Sequence, residues 1–205
     1  RDLESGAKHP VLAGVSFDLA PGARIAVLGP SGAGKSTTGL LALRLLDPDA
    51  GSIKLGSTPL TQIDGDAWRA RVGYVDQEVT LFDDTFRANV ALGLEPSVAN
   101  SPAGAARIER AVRAARVDVL LRERGITLDA RVYERGGNLS GGQRKRVAMA
   151  RALARDPLLL VVDQLASDLE ESLNREIFTA IRTEYRAAVL YLGHRVPPGL
   201  DPTAV

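Results

Sequence analysis

The stretch Gly29-Pro30-Ser31-Gly32-Ala33-Gly34-Lys35-Ser36-Thr37 constrains this chain more than any other. It follows a short apolar run, Arg24 to Leu28, and leads into a leucine-rich segment at helical spacing, Lys35 to Leu46. Strand, glycine-rich turn and helix, in that order, are the context in which G-x-x-x-x-G-K-[ST] cradles phosphate. Glycines let successive backbone N–H groups turn inward as an anion nest, and the helix starting near Lys35 adds its positive dipole end. Gly29, Pro30, Ser31, Gly32, Ala33, Gly34, Lys35, Ser36 and Thr37 are therefore expected to line a nucleotide's phosphates. In that arrangement Lys35 reaches the β and γ phosphates and Ser36 ligates Mg²⁺.

Around this loop the chain reads as an α/β fold. Gly51 to Leu55 and Val72 to Val75 are expected strands, with Pro48 and Gly51 breaking the chain between helix and strand. From Asp83 to about Gly136 the composition shifts to alanine, arginine, valine and leucine at helical period, with Pro96 and Pro102 in a polar linker. This predicts a helical lobe, about residues 83–140, inserted into a core of about 1–82 and 141–205. The core resumes with a helix from about Gly141 to Ala154, a fully apolar strand from Leu158 to Val162, a helix from about Asp168 to Tyr185 and a last strand from Ala188 to Leu192. Apolar strands alternating with helices predict a mostly parallel sheet covered on both faces. The 205 residues thus form one domain with two lobes, and the start at Arg1 and stop at Val205 suggest a piece of a longer polypeptide.

Charge narrows the partners. With 26 basic against 25 acidic residues there is no polycationic surface of the kind nucleic acid requires, so none is expected as a partner. The chain has no cysteine, which excludes disulfides and thiolate-bound zinc.

A second motif specifies the family. Asn138-Leu139-Ser140-Gly141-Gly142-Gln143-Arg144-Lys145-Arg146 opens a helix, and Ser140 with two glycines at a helix start makes another anion site. This string resembles the LSGGQ signature of ATP-binding-cassette (ABC) ATPases, whose core is of the P-loop NTPase, RecA-like type. The resemblance runs from about Pro10 to Arg195 and implies ATP and Mg²⁺ as ligands. It also implies a second nucleotide-binding domain as partner, because one subunit's signature, here Ser140, Gly141, Gly142 and Gln143, closes over the γ-phosphate held by the other.

Further matches follow in the family's order. Gln77 resembles the Q-loop glutamine that touches Mg²⁺, and Leu158 to Asp163 resembles the Walker B strand, with Asp163 holding the Mg²⁺ shell. His194 resembles the switch histidine that contacts the γ-phosphate. The metal set is then Ser36, Gln77 and Asp163, and the catalytic set Lys35, Gln164 and His194. Residues 78–90, EVTLFDDTFRANV, and the Arg131-Val132-Tyr133-Glu134-Arg135-Gly136 segment resemble exporter segments that meet transmembrane helices, with Tyr133 replacing a glycine. The resemblance thus implies an exporter's transmembrane domain as partner and a place at the cytoplasmic face of the membrane. No counterpart of the family's first strand and adenine-stacking aromatic is found: no aromatic precedes Phe17, and Trp68 and Tyr74 read as packing residues.

The chain departs from the family after Asp163. The family places glutamate there as the general base, and this chain has Gln164, which can orient water and cannot take its proton. Loss of a general base typically costs about 10²–10⁴-fold in rate. Leu165, Ala166, Asp168 and Glu170 differ too, so the segment reads as naturally diverged and its own site as weakly hydrolytic. Against an exporter ATPase stand two other readings: a nucleotide-binding module that gates a partner without turnover, favoured by Gln164, and a non-transport ABC ATPase, disfavoured by the compact 77–140 stretch.

Overall fold

Short apolar strands buried on both faces build the centre of the molecule. In the computed structural model, which describes residues 10–165 and 169–204, four strands form one parallel sheet: β1 (Arg24–Leu28), β4 (Val72–Val75), β7 (Leu159–Asp163) and β8 (Ala188–Gly193). The order across the sheet is β1-β8-β7-β4, with Leu28 opposite Gly193, Leu192 opposite Asp163, and Val162 opposite Val75. Along β7, Leu160 and Val162 enter one apolar cluster and Leu159 and Val161 the other; along β8, Val189 and Tyr191 alternate with Leu190 and Leu192. Burial on both faces makes β7 and β8 continuous apolar runs, each large side chain contributing about 1.5–3 kcal/mol.

One face is covered by α1 (Lys35–Ala42) and by α2 (Gly65–Ala70), whose Trp68 is buried with its indole N–H donating to the Ala42 carbonyl at 2.8 Å. The other carries α7 (Gly141–Ala154) and α8 (Glu171–Glu184). Against α7 pack α3 (Phe86–Ala91), α5 (Pro102–Ala114) and α6 (Val117–Glu123), with α4 (Pro96–Ala99) resting on α5. Two short antiparallel pairs complete the structure: β2 (Lys54–Leu55) with β3 (Thr58–Pro59), and β5 (Asp84–Thr85) with β6 (Arg131–Val132).

The α/β class and parallel sheet are as expected, and several boundaries move. The first helix stops at Ala42 instead of Leu46, since Arg44 adopts a left-handed φ of 53° and donates to the Ile63 carbonyl. The Gly51–Leu55 strand shrinks to the two-residue β2. Pro96 and Pro102 lie in no linker: each opens a helix, where the missing N–H costs nothing and the fixed φ helps. Leu158 falls outside β7 and stays 45% exposed, its N–H donating to Arg71 instead. The next helix starts at Glu171, and residues 166–168, including Ala166 and Asp168, lie outside the described residues.

Candidate functional site

Parallel strands send all their carboxyl ends to one edge, where α/β sheets gather ligands. The strand order therefore lines up four sequence-distant segments: the Gly29–Thr37 loop after β1, His194 after β8, Asp163 ending β7 with Gln164 after it, and Gln77 two residues beyond β4. Gly29 N–H donates to the Gly193 carbonyl at 3.3 Å, tying the loop's first residue to the strand end that carries His194. His194 itself is exposed.

Within the loop, Gly32 and Gly34 take φ of 81° and 86°, and a Cβ at Gly34 would lie 2.8 Å from the Leu12 side chain. Only glycine meets both demands. Gly34 is the N-cap of α1, and Thr38 N–H closes the first helical bond on its carbonyl at 2.9 Å. Ser31, Gly32, Ala33 and Ser36 face solvent, while Lys35 is 5% exposed and folds its ammonium across the loop. That ammonium donates to the Gly29 carbonyl at 2.9 Å and the Pro30 carbonyl at 2.7 Å. It is a cation held at the nest by weak, neutral acceptors, which a phosphate oxygen outcompetes.

Ser36 Oγ donates to Asp163 Oδ2 at 2.7 Å across 127 residues. Asp163 is 2% exposed, and its other oxygen, Oδ1, is buried without a hydrogen bond among the described residues. An unsatisfied buried carboxylate oxygen beside a hydroxyl is a donor set for a hard cation, so these two residues fit Mg²⁺. Gln77 is exposed at the same edge, where its Oε1 accepts from Gln164 Nε2 at 3.2 Å. Gln164 holds a φ of 52°, fixed by its N–H on the Leu192 carbonyl at 2.8 Å and by Lys145 Nζ on its own carbonyl at 2.9 Å. Tyr74, half-buried beside Asp76 and Asp163, has its hydroxyl pKa raised by burial first and by those two carboxylates next.

The signature segment lies at the start of α7. Ser140 Oγ accepts from Gln143 N–H at 3.2 Å and Gln143 Oε1 accepts from Ser140 N–H at 3.0 Å, a reciprocal capping box that leaves Gly141 and Gly142 in the first turn. The two segments that resemble exporter contacts are zipped together by β5 and β6, which leave Phe82 and Tyr133 exposed; Glu134 is exposed beside them. Sequence reasoning missed what anchors them. Arg151, half-buried in α7, donates to the Thr80 and Asn89 carbonyls, both at 2.9 Å, and partial burial lowers its pKa. A basic residue interrupting the apolar run from Val147 to Ala154 was the available signal. Residues 1–9, where the resemblance places the adenine-stacking aromatic, lie outside the described residues.

A parallel sheet with a phosphate loop after its first described strand, and an aspartate ending a strand two places away, defines a nucleotide-binding α/β domain of the P-loop class. The chain belongs to the ABC transporter family, whose model matches residues 12–167. It is 37% identical over 191 residues to an ATP-dependent lipid A-core flippase of Burkholderia orbicola (strain AU 1054), covering 93% of this chain and 31% of that protein. It is 36% identical over 196 residues to an ATM1-type heavy metal exporter of Novosphingobium aromaticivorans, covering 95% and 31%. Multidrug resistance protein pgp-1 of Caenorhabditis elegans is 34% identical over 91% of this chain and 14% of its own length. Among solved structures, a bacterial Atm1-family ABC exporter with ATP bound superposes with a TM-score of 0.79 at 34% identity, over 90% of this chain and 32% of the exporter. The chain thus spans about a third of the length of its bacterial relatives. Among the described residues no helix is long and apolar enough to cross a membrane.

Proposed function

We propose that this chain is the energy-coupling ATPase domain of an exporter. It binds MgATP at Gly29–Thr37 and works by closing on a second nucleotide-binding domain. The observation that carries this reading is the Ser36–Asp163 contact of 2.7 Å, with Asp163 Oδ1 left unsatisfied among the described residues. The loop N–H groups and Lys35 hold the β and γ phosphates. Ser36, Asp163 and Gln77 hold Mg²⁺, which when bound neutralises the phosphate oxygens and orients the terminal phosphoryl group. His194 contacts the γ-phosphate from the adjacent strand end. Gln164, steered by Gln77, orients the attacking water.

Hydrolysis forms a bond from water oxygen to the γ-phosphorus and breaks the bridging bond, releasing ADP and phosphate. The proton leaving that water finds no carboxylate at position 164, so this site retains ATP and turns it over slowly. Phe82, Tyr133 and Glu134 face the transmembrane domain, which holds the chain at the cytoplasmic face of the membrane. The names of two relatives, a lipid A-core flippase and a heavy metal exporter, support a membrane transport role. A second reading, a nucleotide-binding module that gates without turnover, is favoured by Gln164 alone. ATPase assays of the chain by itself and in complex with its partner domain separate the two. Turnover gained on assembly supports the ATPase reading; tight ATP binding without turnover in either state replaces it with the gating module. Failure to bind MgATP overturns both.

A further inference from the structure

The start of α7 carries no acidic residue in its first turn, yet it is served by a guanidinium that no other part of the site uses. Arg124 caps the C-terminus of α6, whose Val117, Leu120 and Leu121 are buried. Its backbone is fixed there by a Schellman end: Ile126 N–H donates to the Leu121 carbonyl at 3.0 Å, Gly125 N–H to the Arg122 carbonyl at 3.1 Å, and Gly125 takes φ 63°. From that mount the side chain forks. Nη1 donates to the Asn138 carbonyl at 3.0 Å, and Nη2 to Gln143 Oε1 at 2.8 Å.

The two acceptors bracket Leu139 to Gly142. Gln143 Oε1 is the atom that also accepts from Ser140 N–H, so Arg124 braces the capping box itself. Asn138 is pinned in turn, accepting from Tyr133 N–H at 3.1 Å and donating to the Arg131 carbonyl at 3.0 Å. A cation beside a helix N-terminus opposes the macrodipole, and the arrangement is favoured once an anion arrives. We infer that Arg124 is a positioning residue for the signature: its two-point fork holds Ser140, Gly141, Gly142 and Gln143 in the geometry that receives the γ-phosphate of ATP bound by the second domain. This rests on the proposed trans-acting role of the signature.

The test uses Arg124→Met, which removes the fork, and Arg124→Lys, which keeps the charge and loses the two-point geometry, in the full-length protein assembled with its partner. Wild-type turnover in that assembly is measured first; its absence counts against the proposed function and leaves the brace to be judged on exchange alone. Both variants are expected to lower kcat of the complex about tenfold, the scale of losing a charge-assisted hydrogen bond. MgATP affinity of the chain's own phosphate loop stays unchanged, and amide exchange at Ser140 and Gln143 quickens about tenfold while that of α5 and α8 does not. Unchanged exchange at those two amides overturns the inference whatever the ATPase does. So does full rescue by lysine, which makes Arg124 a point charge only. A parallel fall in own-site affinity makes it a general structural residue, and quickened exchange with unchanged kcat denies the brace its role.

Discussion

Asp163 has the most determined surroundings of any residue in the site: nearly all its surface is gone, one oxygen is satisfied by Ser36, and the other has no protein partner among the described residues. Burying a carboxylate so incompletely satisfied is costly, and a cation offsets that cost. Asp163→Asn keeps the shape and the Ser36 contact while removing the charge. Titrations with and without EDTA check the consequence: ATP affinity of the wild type depends on Mg²⁺, whereas the variant loses about 10–100-fold of metal affinity and with it most of that dependence. A variant as Mg²⁺-dependent as the wild type removes Asp163 from the metal set. Gln164 is the contrasting case. Its identity was legible as a departure, but its left-handed backbone was not, because the bonds that impose it come from Lys145 and Leu192, 19 and 28 residues away (164 − 145 and 192 − 164). Arg124 and Arg151 escaped notice for the same reason: a surface-type residue becomes a brace only through acceptors that the fold brings near. The phosphate loop was readable because all its parts are contiguous.

At the level of elements, α4 and α5 touch where a side chain has no room. A Cβ at Gly104, in the first turn of α5, would overlap the Val98 carbonyl of α4, which is main chain and cannot rotate away. Gly104→Ala is accordingly expected to destabilise the domain by about 1–3 kcal/mol, measured by urea denaturation, despite alanine's better helix propensity. Stability equal to the wild type would mean that α4 does not rest on α5. Helix α5 also meets the core at Tyr185, where the Arg110 guanidinium lies 4.5 Å from the ring centroid. The Tyr185 hydroxyl is buried and has its pKa pushed up to about 12, chiefly by burial, with the Arg110 guanidinium acting in the opposite direction. A raised folded-state pKa means stability fully present below the unfolded value near 10 and lost as pH climbs toward 12. Tyr185→Phe should therefore abolish about 2 kcal/mol of the alkaline loss between those limits and leave neutral stability equal or higher. Denaturation midpoints at pH 8 and 11, between which about 1.4 kcal/mol of that loss appears, decide it, and an alkaline loss identical in both proteins refutes the assignment. The longer helices were legible from their periodicity while α2 was not, and the error at Pro96 and Pro102 is instructive: proline breaks a helix from inside and starts one from its first position.

For the whole molecule, the sheet order gathers one set of functions at one edge and sends the other away. Lys35, Ser36, Asp163, Gln164, Gln77 and His194 belong to strand ends of a single sheet, whereas the side-chain hydrogen bonds of Ser140 and Gln143 run to each other and to Arg124 of the helical layer. On the function proposed above, one chain carries a phosphate loop with an altered base position at Gln164 and a signature with its motif intact. We propose that such asymmetry belongs to a heterodimer, in which this chain's own site holds ATP while its signature completes a competent site on a partner bearing glutamate. Two copies of this chain would put Gln164 in both sites. Two substitutions discriminate. Ser140→Arg fills the signature's anion site with a side chain and should stop the ATPase of the assembled transporter. Lys35→Ala empties the chain's own site, abolishing MgATP binding by the isolated chain, yet should leave substantial turnover at the partner's site. Steady-state ATPase of the two assembled variants reads out the difference, with titration of the isolated Lys35→Ala chain as the check that its own site is empty. If Lys35→Ala silences the complex as fully as Ser140→Arg, or if Gln164→Glu alone brings a purified homodimer to the turnover of an ordinary ABC ATPase, the two sites are equivalent and the heterodimer is wrong.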